Sequence, residues 1–348
     1  MAEKTEKERI DYLYFIQTIA CFAVVFLHTN GCFWNFSATG RYWKTANVIE
    51  TFFYFAVPFF FMISGITLMD YGDRYSLKEY LLKRFNKTFV PFFVWSFIGL
   101  AYALLTHRFS VGDISFKFIV DGFINTKFTT VYWFFIPLFS VYLCIPLFAM
   151  THKEKRKELF LYLIIIGLIF NVTVPFVNKF VGVNNLSDLR PGVVAGYLIW
   201  PVIGYYIHNY PPKKVMKIVL ILLSIAGFCI HLFGTYYYSM RDGGVNSFFK
   251  GYNALPCVMY SVGMFLILKD LGLLMAKTKA IRVFKFIAGY TFPIYLMHWY
   301  MHDAAIRLFN IDNRSIYYRL SAPFAIVLAT IGITWIIRKI PILKRIVP

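Results

Sequence analysis

The chain has 348 residues, of which 59% are hydrophobic and only 15% are charged. Charged residues make up about 25% of a soluble domain, so this composition excludes a soluble globular protein. The net charge of +19 does not indicate nucleic-acid binding, because basic residues of a membrane protein gather in the loops that stay in the cytoplasm.

Ten apolar stretches are candidates for membrane-crossing helices. They lie at about 12–29, 48–69, 88–106, 131–149, 159–177, 193–208, 215–234, 253–268, 283–301 and 320–337. The sixth and eighth are short, so each could be tilted, broken or partly re-entrant. The sequence therefore predicts an all-α polytopic membrane protein of about ten transmembrane helices, in a single domain over residues 1–348.

The basic residues alternate along the chain. The two termini and every second loop hold 24 of the 36 Lys and Arg residues, and the remaining loops hold 12. Because cytoplasmic loops carry the excess of Lys and Arg, we expect both termini in the cytoplasm and an even number of crossings. The five cysteines show no CxxC spacing, so we expect neither a disulfide framework nor a metal site.

The first apolar stretch, YLYFIQTIACFAVVFLHT, contains two polar residues that a lipid-facing helix does not need. Gln17 and His28 are eleven residues apart, about three helical turns, and therefore share a face. This helix runs outward, which puts His28 near the outer mouth of the bundle. Ionisable residues within a membrane mark a functional site by default; the alternative is a histidine that lies among the lipid headgroups.

The stretch YTFPIYLMHWYMHD provides a second histidine at similar depth. Tyr295, His298 and His302 follow the spacing of one helix face. Because His28 and His298 both fall in the outer half of their helices, the two imidazoles could cooperate. The alternative is that His298 is a hydrogen-bonding residue of the core, and we expect His302 to be interfacial.

Two further segments carry polar residues at helix ends. Lys83, Arg84 and Lys87 precede the third helix, where they are either ordinary cytoplasmic charge or a site for a phosphate group. Ser64 and Gly65 near the end of the second helix allow close backbone packing. The outer loop 235–252 mixes aromatic and polar residues, which favours an interfacial belt over sugar binding.

Five segments, in order, resemble the acyltransferase-3 family of integral membrane acyltransferases. They are similar to an opening Asp–basic–His pattern (RIDYLYFIQTIACFAVVFLH), FF-x-x-SG (FFYFAVPFFFMISG), R-x-x-R before a proline (KRFNKTFVP), W-[FY]…Y…P with Trp133, Tyr142 and Pro146 (YWFFIPLFSVYLCIPL), and I-Y-L-x-H (FPIYLMH). The chain looks most like the short, ten-helix members that modify bacterial surface glycans. It departs from the pattern at Gln17 and Lys87, where the family has arginine.

The resemblance implies a plasma-membrane O-acyltransferase, with acetyl-CoA or another acyl-CoA as donor and a hydroxyl of a surface or lipid-linked glycan as acceptor. His28 is then expected to act as general base or to carry the acyl group transiently. His298 is expected to orient His28 or to stabilise the oxyanion. The remaining predicted roles are substrate contacts for Gln17, Ser64, Trp133 and Tyr295 and coenzyme A phosphate contacts for Lys83, Arg84 and Lys87. No metal is expected, and a homodimer is left open.

Two other functional classes stay open from the residues. The first is an exporter or transporter of a glycan or small molecule, with the histidines as a proton relay. The lack of an internal repeat argues mildly against it. The second is a non-catalytic membrane subunit of a glycan assembly complex.

Overall fold

Helices form nearly all of the ordered secondary structure. The computed structural model describes residues 2–183 and 190–348, and no strand occurs in these ranges. The helices are α1 (Ala2–Thr29), α2 (Arg41–Phe53), α3 (Ala56–Leu68), α4 (Leu77–Arg84), α5 (Val90–Leu105), α6 (Phe116–Ile124), α7 (Phe135–Ala149), α8 (Arg156–Ile166), α9 (Val174–Val181), α10 (Ile199–Asn209), α11 (Lys214–Asp242), α12 (Leu255–Ala276), α13 (Ile281–Ala288), α14 (Thr291–Phe309) and α15 (Ile316–Ile337).

Eight helical segments of the described chain are long and apolar enough to cross a membrane. They are Ile10–Thr29, Arg41–Asp73, Leu77–Leu105, Thr130–Ala149, Lys153–Val181, Lys214–Asp242, Leu255–Ala276 and Ile316–Ile337. Each coincides with one of the ten predicted stretches. The prediction of an all-α polytopic membrane protein is confirmed.

The other two predicted stretches, 193–208 and 283–301, contain shorter helices. The first contains α10, which has 11 residues and is about 17 Å long at 1.5 Å per residue. It packs against α3 and α8, so most of its surface is covered by protein. The second is interrupted at Gly289 and Tyr290, between α13 and α14.

Two glycines allow α3 and α10 to touch through their backbones. A Cβ atom on Gly65 would lie 2.0 Å from the carbonyl oxygen of Pro201, and one on Gly204 would lie 2.3 Å from that of Met62. No side chain fits at these distances. The serine–glycine pair of the second apolar stretch is therefore explained in part by helix packing, as the sequence predicts.

Helix α1 lies within the bundle. It packs against α2, α3, α12, α13, α14 and α15. Two thirds of its membrane-crossing window, 67%, is buried inside the protein. Its polar residues therefore face neighbouring helices and not lipid.

Two wide helical turns occur just before prolines. The π-helical segments Phe85–Phe89 and Gly167–Thr173 lead directly into α5 and α9, which carry Pro91 and Pro175 in their first turns. A proline lacks the backbone N–H, and its ring clashes with the carbonyl four residues earlier. An extra residue in the turn relieves this clash, and such turns often occur at functional sites.

Candidate active site

The two histidines singled out from the sequence are in direct contact. Nδ1 of His28 lies 2.7 Å from Nε2 of His298, and the rings stack with centroids 4.7 Å apart at 27°. His28 comes from the last turn of α1 and His298 from the middle of α14. The packing of α1 on α14 produces this pair.

Backbone contacts define the hydrogen positions of the pair. Nδ1 of His298 lies 2.7 Å from the carbonyl oxygen of Tyr295 and 3.1 Å from that of Ile294. A carbonyl oxygen only accepts, so this nitrogen carries the proton. When both rings are neutral, Nε2 of His298 must accept a hydrogen bond from Nδ1–H of His28. The proton-free nitrogen of His28 is then Nε2.

Only one of the two rings reaches open space. His28 lines a cavity of about 520 Å³, whereas His298 is fully buried behind it and is not part of the cavity wall. No hydrogen bond to Nε2 of His28 is found in the described part of the chain. The geometry gives His28 access to a reactant and gives His298 the position of an orienting group.

The cavity extends along the bundle to a basic end. Arg84, Thr88 and Tyr142 line it there. The Arg84 guanidinium lies 5.6 Å from the centre of the Tyr142 ring, and its buried Nε has no hydrogen-bond partner among the described residues. A guanidinium in a cavity wall that still has a free N–H donor among the described residues is suited to bind an anionic group.

The other two predicted phosphate contacts lie outside the cavity wall. Lys83 and Lys87 are exposed, and the Lys83 ammonium lies 3.7 Å from the centre of the Tyr75 ring. The structure thus brings Arg84, but not the two lysines, into the cavity. Any role of the lysines would be at the entrance.

Gln17 joins α1 to the break before α14. Its Nε2 donates to Oγ1 of Thr291 at 2.6 Å and to the carbonyl of Ala288 at 3.4 Å. Gln17 and Thr291 also line the cavity. This amide therefore stabilises the start of the helix that carries His298.

The remaining predicted contact residues, Ser64, Trp133 and Tyr295, also line the cavity. The Ser64 hydroxyl donates to the carbonyl of Phe60 at 2.8 Å, and the Tyr295 hydroxyl donates to the carbonyl of Val131. Both hydroxyls thus have backbone partners. Trp133 stacks on Tyr252 at 5.6 Å and 17°.

The third histidine, His302, does not face the cavity. Its Nδ1 lies 2.7 Å from the Tyr318 hydroxyl, and it is not part of the cavity wall. It follows His298 by only four residues on the same helix. His302 is therefore a natural control for experiments on the histidine pair.

The end of the cavity away from Arg84 contains residues that the sequence analysis did not single out. Trp34, Glu50, Tyr54 and Tyr252 line it, and Lys250 pairs with Glu50 at 3.7 Å. A carboxylate within the first residues of an apolar stretch was the available signal for Glu50. Tyr252 and Lys250 belong to the outer loop 235–252, whose composition favours an interfacial belt.

A known protein family matches most of the chain. The model of the acyltransferase-3 family, described as an acyltransferase domain, matches residues 10–339. The chain belongs to this family. It is a membrane acyltransferase, and the family relation implies an acyl donor and a hydroxyl acceptor.

One relative is similar over most of its length. YfiQ of Bacillus subtilis (strain 168), named as a membrane-bound acyltransferase, is 25% identical over 309 residues, which cover 84% of this chain and 81% of the relative. No solved structure matches the chain.

Proposed function

We propose that this acyltransferase-3 family member moves an acyl group, in the simplest case acetyl, from acyl-CoA to a hydroxyl of a surface or lipid-linked glycan. One observation carries the proposal: His28, which is backed by His298, lines a cavity whose wall also contains the Arg84 guanidinium at one end and the Glu50 carboxylate at the other. The acyltransferase family supplies the reaction class.

The charge distribution supports the direction of transfer. Arg84 lies at the end of the bundle where the basic loops gather, and such loops stay in the cytoplasm. Acyl-CoA is a cytoplasmic, highly anionic molecule. We therefore place its phosphates at the entrance near Arg84 and its slim pantetheine arm in the cavity, with both termini of the chain in the cytoplasm and the protein in the bacterial plasma membrane.

The cavity has a suitable size for this arrangement. Its volume of about 520 Å³ falls within the range of about 300–1,000 Å³ that is typical of small-molecule sites. Aromatic and aliphatic side chains form most of its wall, with a few polar groups at defined points. Such a wall suits a thioester arm, which is long and weakly polar.

The chemistry requires one base in this cavity. The acceptor hydroxyl transfers its proton to Nε2 of His28 while its oxygen attacks the thioester carbonyl carbon. The carbon–sulfur bond then breaks, and the leaving thiolate takes the proton from the His28 imidazolium. The products are an ester and free coenzyme A. His298 holds the His28 ring in the tautomer that this step needs.

Membrane vesicles that contain the native acceptor provide the test. The vesicles are prepared from cells in which the gene for this protein has been deleted. The purified protein is then added together with radiolabelled acetyl-CoA. We expect label in the glycan fraction and release of free coenzyme A. The proposal is wrong if acetyl-CoA neither stabilises the protein nor labels the glycan while the protein moves glycan across the vesicle membrane, because that result identifies a transporter.

A further inference from the structure

A second polar cluster occupies the cavity end away from Arg84. The Glu50 carboxylate lies in the cavity wall, yet only 4% of the residue is exposed. Its Oε2 has no hydrogen-bond partner in the described chain. A buried carboxylate oxygen without a donor is costly, and a ligand in the cavity that brings a hydroxyl or amide donor would remove this cost.

Lys250 provides the counter-charge behind Glu50. The two side chains are 3.7 Å apart, too far for a hydrogen bond, and both are almost completely buried. The Lys250 ammonium also lies 4.2 Å from the centre of the Phe33 ring. Lys250 therefore faces the carboxylate without saturating its hydrogen-bonding capacity.

A stack of aromatic rings lies beside the carboxylate. Tyr252 stacks on Trp133 at 17° and on Tyr54 at 11°, with ring centres 5.6 and 4.4 Å apart. All three rings line the same cavity as Glu50 and His28. Trp34, which is 56% exposed, adds a ring at the mouth.

This combination matches one class of ligand. The ring of a sugar presents C–H groups that pack on aromatic faces and hydroxyls that donate to a carboxylate. We infer that Glu50, with Trp133, Tyr54 and Tyr252, forms the subsite that binds the sugar ring of the acceptor and turns one hydroxyl toward His28. This inference rests on the proposed function and adds the residues that recognise the acceptor.

The key variant is Glu50→Gln, which keeps the shape and removes the charge. In native vesicles with radiolabelled acetyl-CoA, we expect the KM for the glycan acceptor to rise about tenfold or more, the usual consequence of losing hydrogen bonds to a charged group. Stabilisation of the purified variant by acetyl-CoA should match that of the wild type. Glu158→Gln is the matched control, because Glu158 is exposed and lies outside the cavity wall.

A double variant provides the test if Glu50→Gln alone does not fold. Glu50→Gln leaves Lys250 as a lone buried charge, which is strongly destabilising. The double variant Glu50→Gln with Lys250→Met removes both charges, and we expect it to fold and to show the same rise in acceptor KM.

Three results would overturn the inference, and they are distinguishable. An unchanged acceptor KM in a folded Glu50 variant removes the subsite but leaves the acyltransferase proposal intact. A loss of acetyl-CoA stabilisation assigns Glu50 to the donor side or to the fold. If the wild-type protein labels no glycan, the proposed function fails, and the acceptor subsite fails with it.

Discussion

Nε2 of His298 lies 2.7 Å from Nδ1 of His28, although 270 residues separate the two histidines along the chain. The contact connects the backbone carbonyls of α14 to the cavity through two imidazole rings. It assigns the two histidines different tasks, since one ring faces the cavity and the other is enclosed.

Substitutions of His298 should show whether this residue positions His28 through a hydrogen bond or only fills space in the core. A glutamine can still accept a hydrogen bond from Nδ1–H of His28, whereas a leucine cannot. We expect His298→Leu to lower kcat by about tenfold to a hundredfold, the equivalent of one lost buried hydrogen bond. His298→Gln should retain more of the activity, with KM for acetyl-CoA unchanged in both variants. Equal activity of the two variants would contradict a positioning role.

Arg84 should dominate the binding of the donor. We expect Arg84→Ala to raise the KM for acetyl-CoA by about tenfold, in line with the loss of a charge-assisted hydrogen bond. Lys83→Ala and Lys87→Ala serve as controls with smaller effects, because both side chains are exposed and outside the cavity wall. A larger effect for either lysine would place the phosphate contacts outside the cavity.

The glycine contact between α3 and α10 should be sensitive to one methyl group. Gly204→Ala is expected to lower the free energy of unfolding by about 1–3 kcal/mol, as overpacking does, because its Cβ would lie 2.3 Å from the Met62 carbonyl oxygen. Gly332→Ala is the control, since nothing lies within 4 Å of that position. Thermal unfolding in detergent measures both. Equal melting temperatures would show that the two helices can move apart freely.

Lys250 should make stability depend on pH. Burial lowers the pKa of Lys250 to about 8 from 10.5, so between these values the unfolded chain binds more protons than the folded one. Stability from this group is therefore expected to rise as the pH increases from about 8 to about 10.5. Melting temperatures measured across this range should show a smaller rise for Lys250→Met. A slope that Lys250→Met leaves unchanged would contradict the burial of this ammonium.

Much of the fold follows from the sequence, because a long apolar run has few alternatives to a membrane helix. The positions of His28 and His298 at similar depth also follow, since helix rise is nearly constant. The break at Gly289 and the short α10 do not follow, because neighbouring helices cover them and apolarity alone does not show where a helix ends. Glu50 and Lys250 could not be paired in advance, since they are 200 residues apart and their contact depends on the loop before α12.

Gln17 stands where the resemblance to the acyltransferase-3 family implies an arginine. The side-chain amide of Gln17 donates a hydrogen bond to Thr291 and so stabilises the break before α14. This contact needs no charge. The sequence shows the departure at Gln17 but not its hydrogen bond to Thr291, because that contact depends on the packing of α1 on α14.

The histidine pair is tested most directly by comparing His28→Gln with His302→Gln in the vesicle assay with radiolabelled acetyl-CoA. We expect His28→Gln to reduce the transfer of label to glycan by about a hundredfold or more, the usual contribution of a general base. His302→Gln should retain activity close to that of the wild type, since this ring contacts Tyr318 and lies outside the cavity wall. Near-normal transfer by a folded His28→Gln protein would contradict the account.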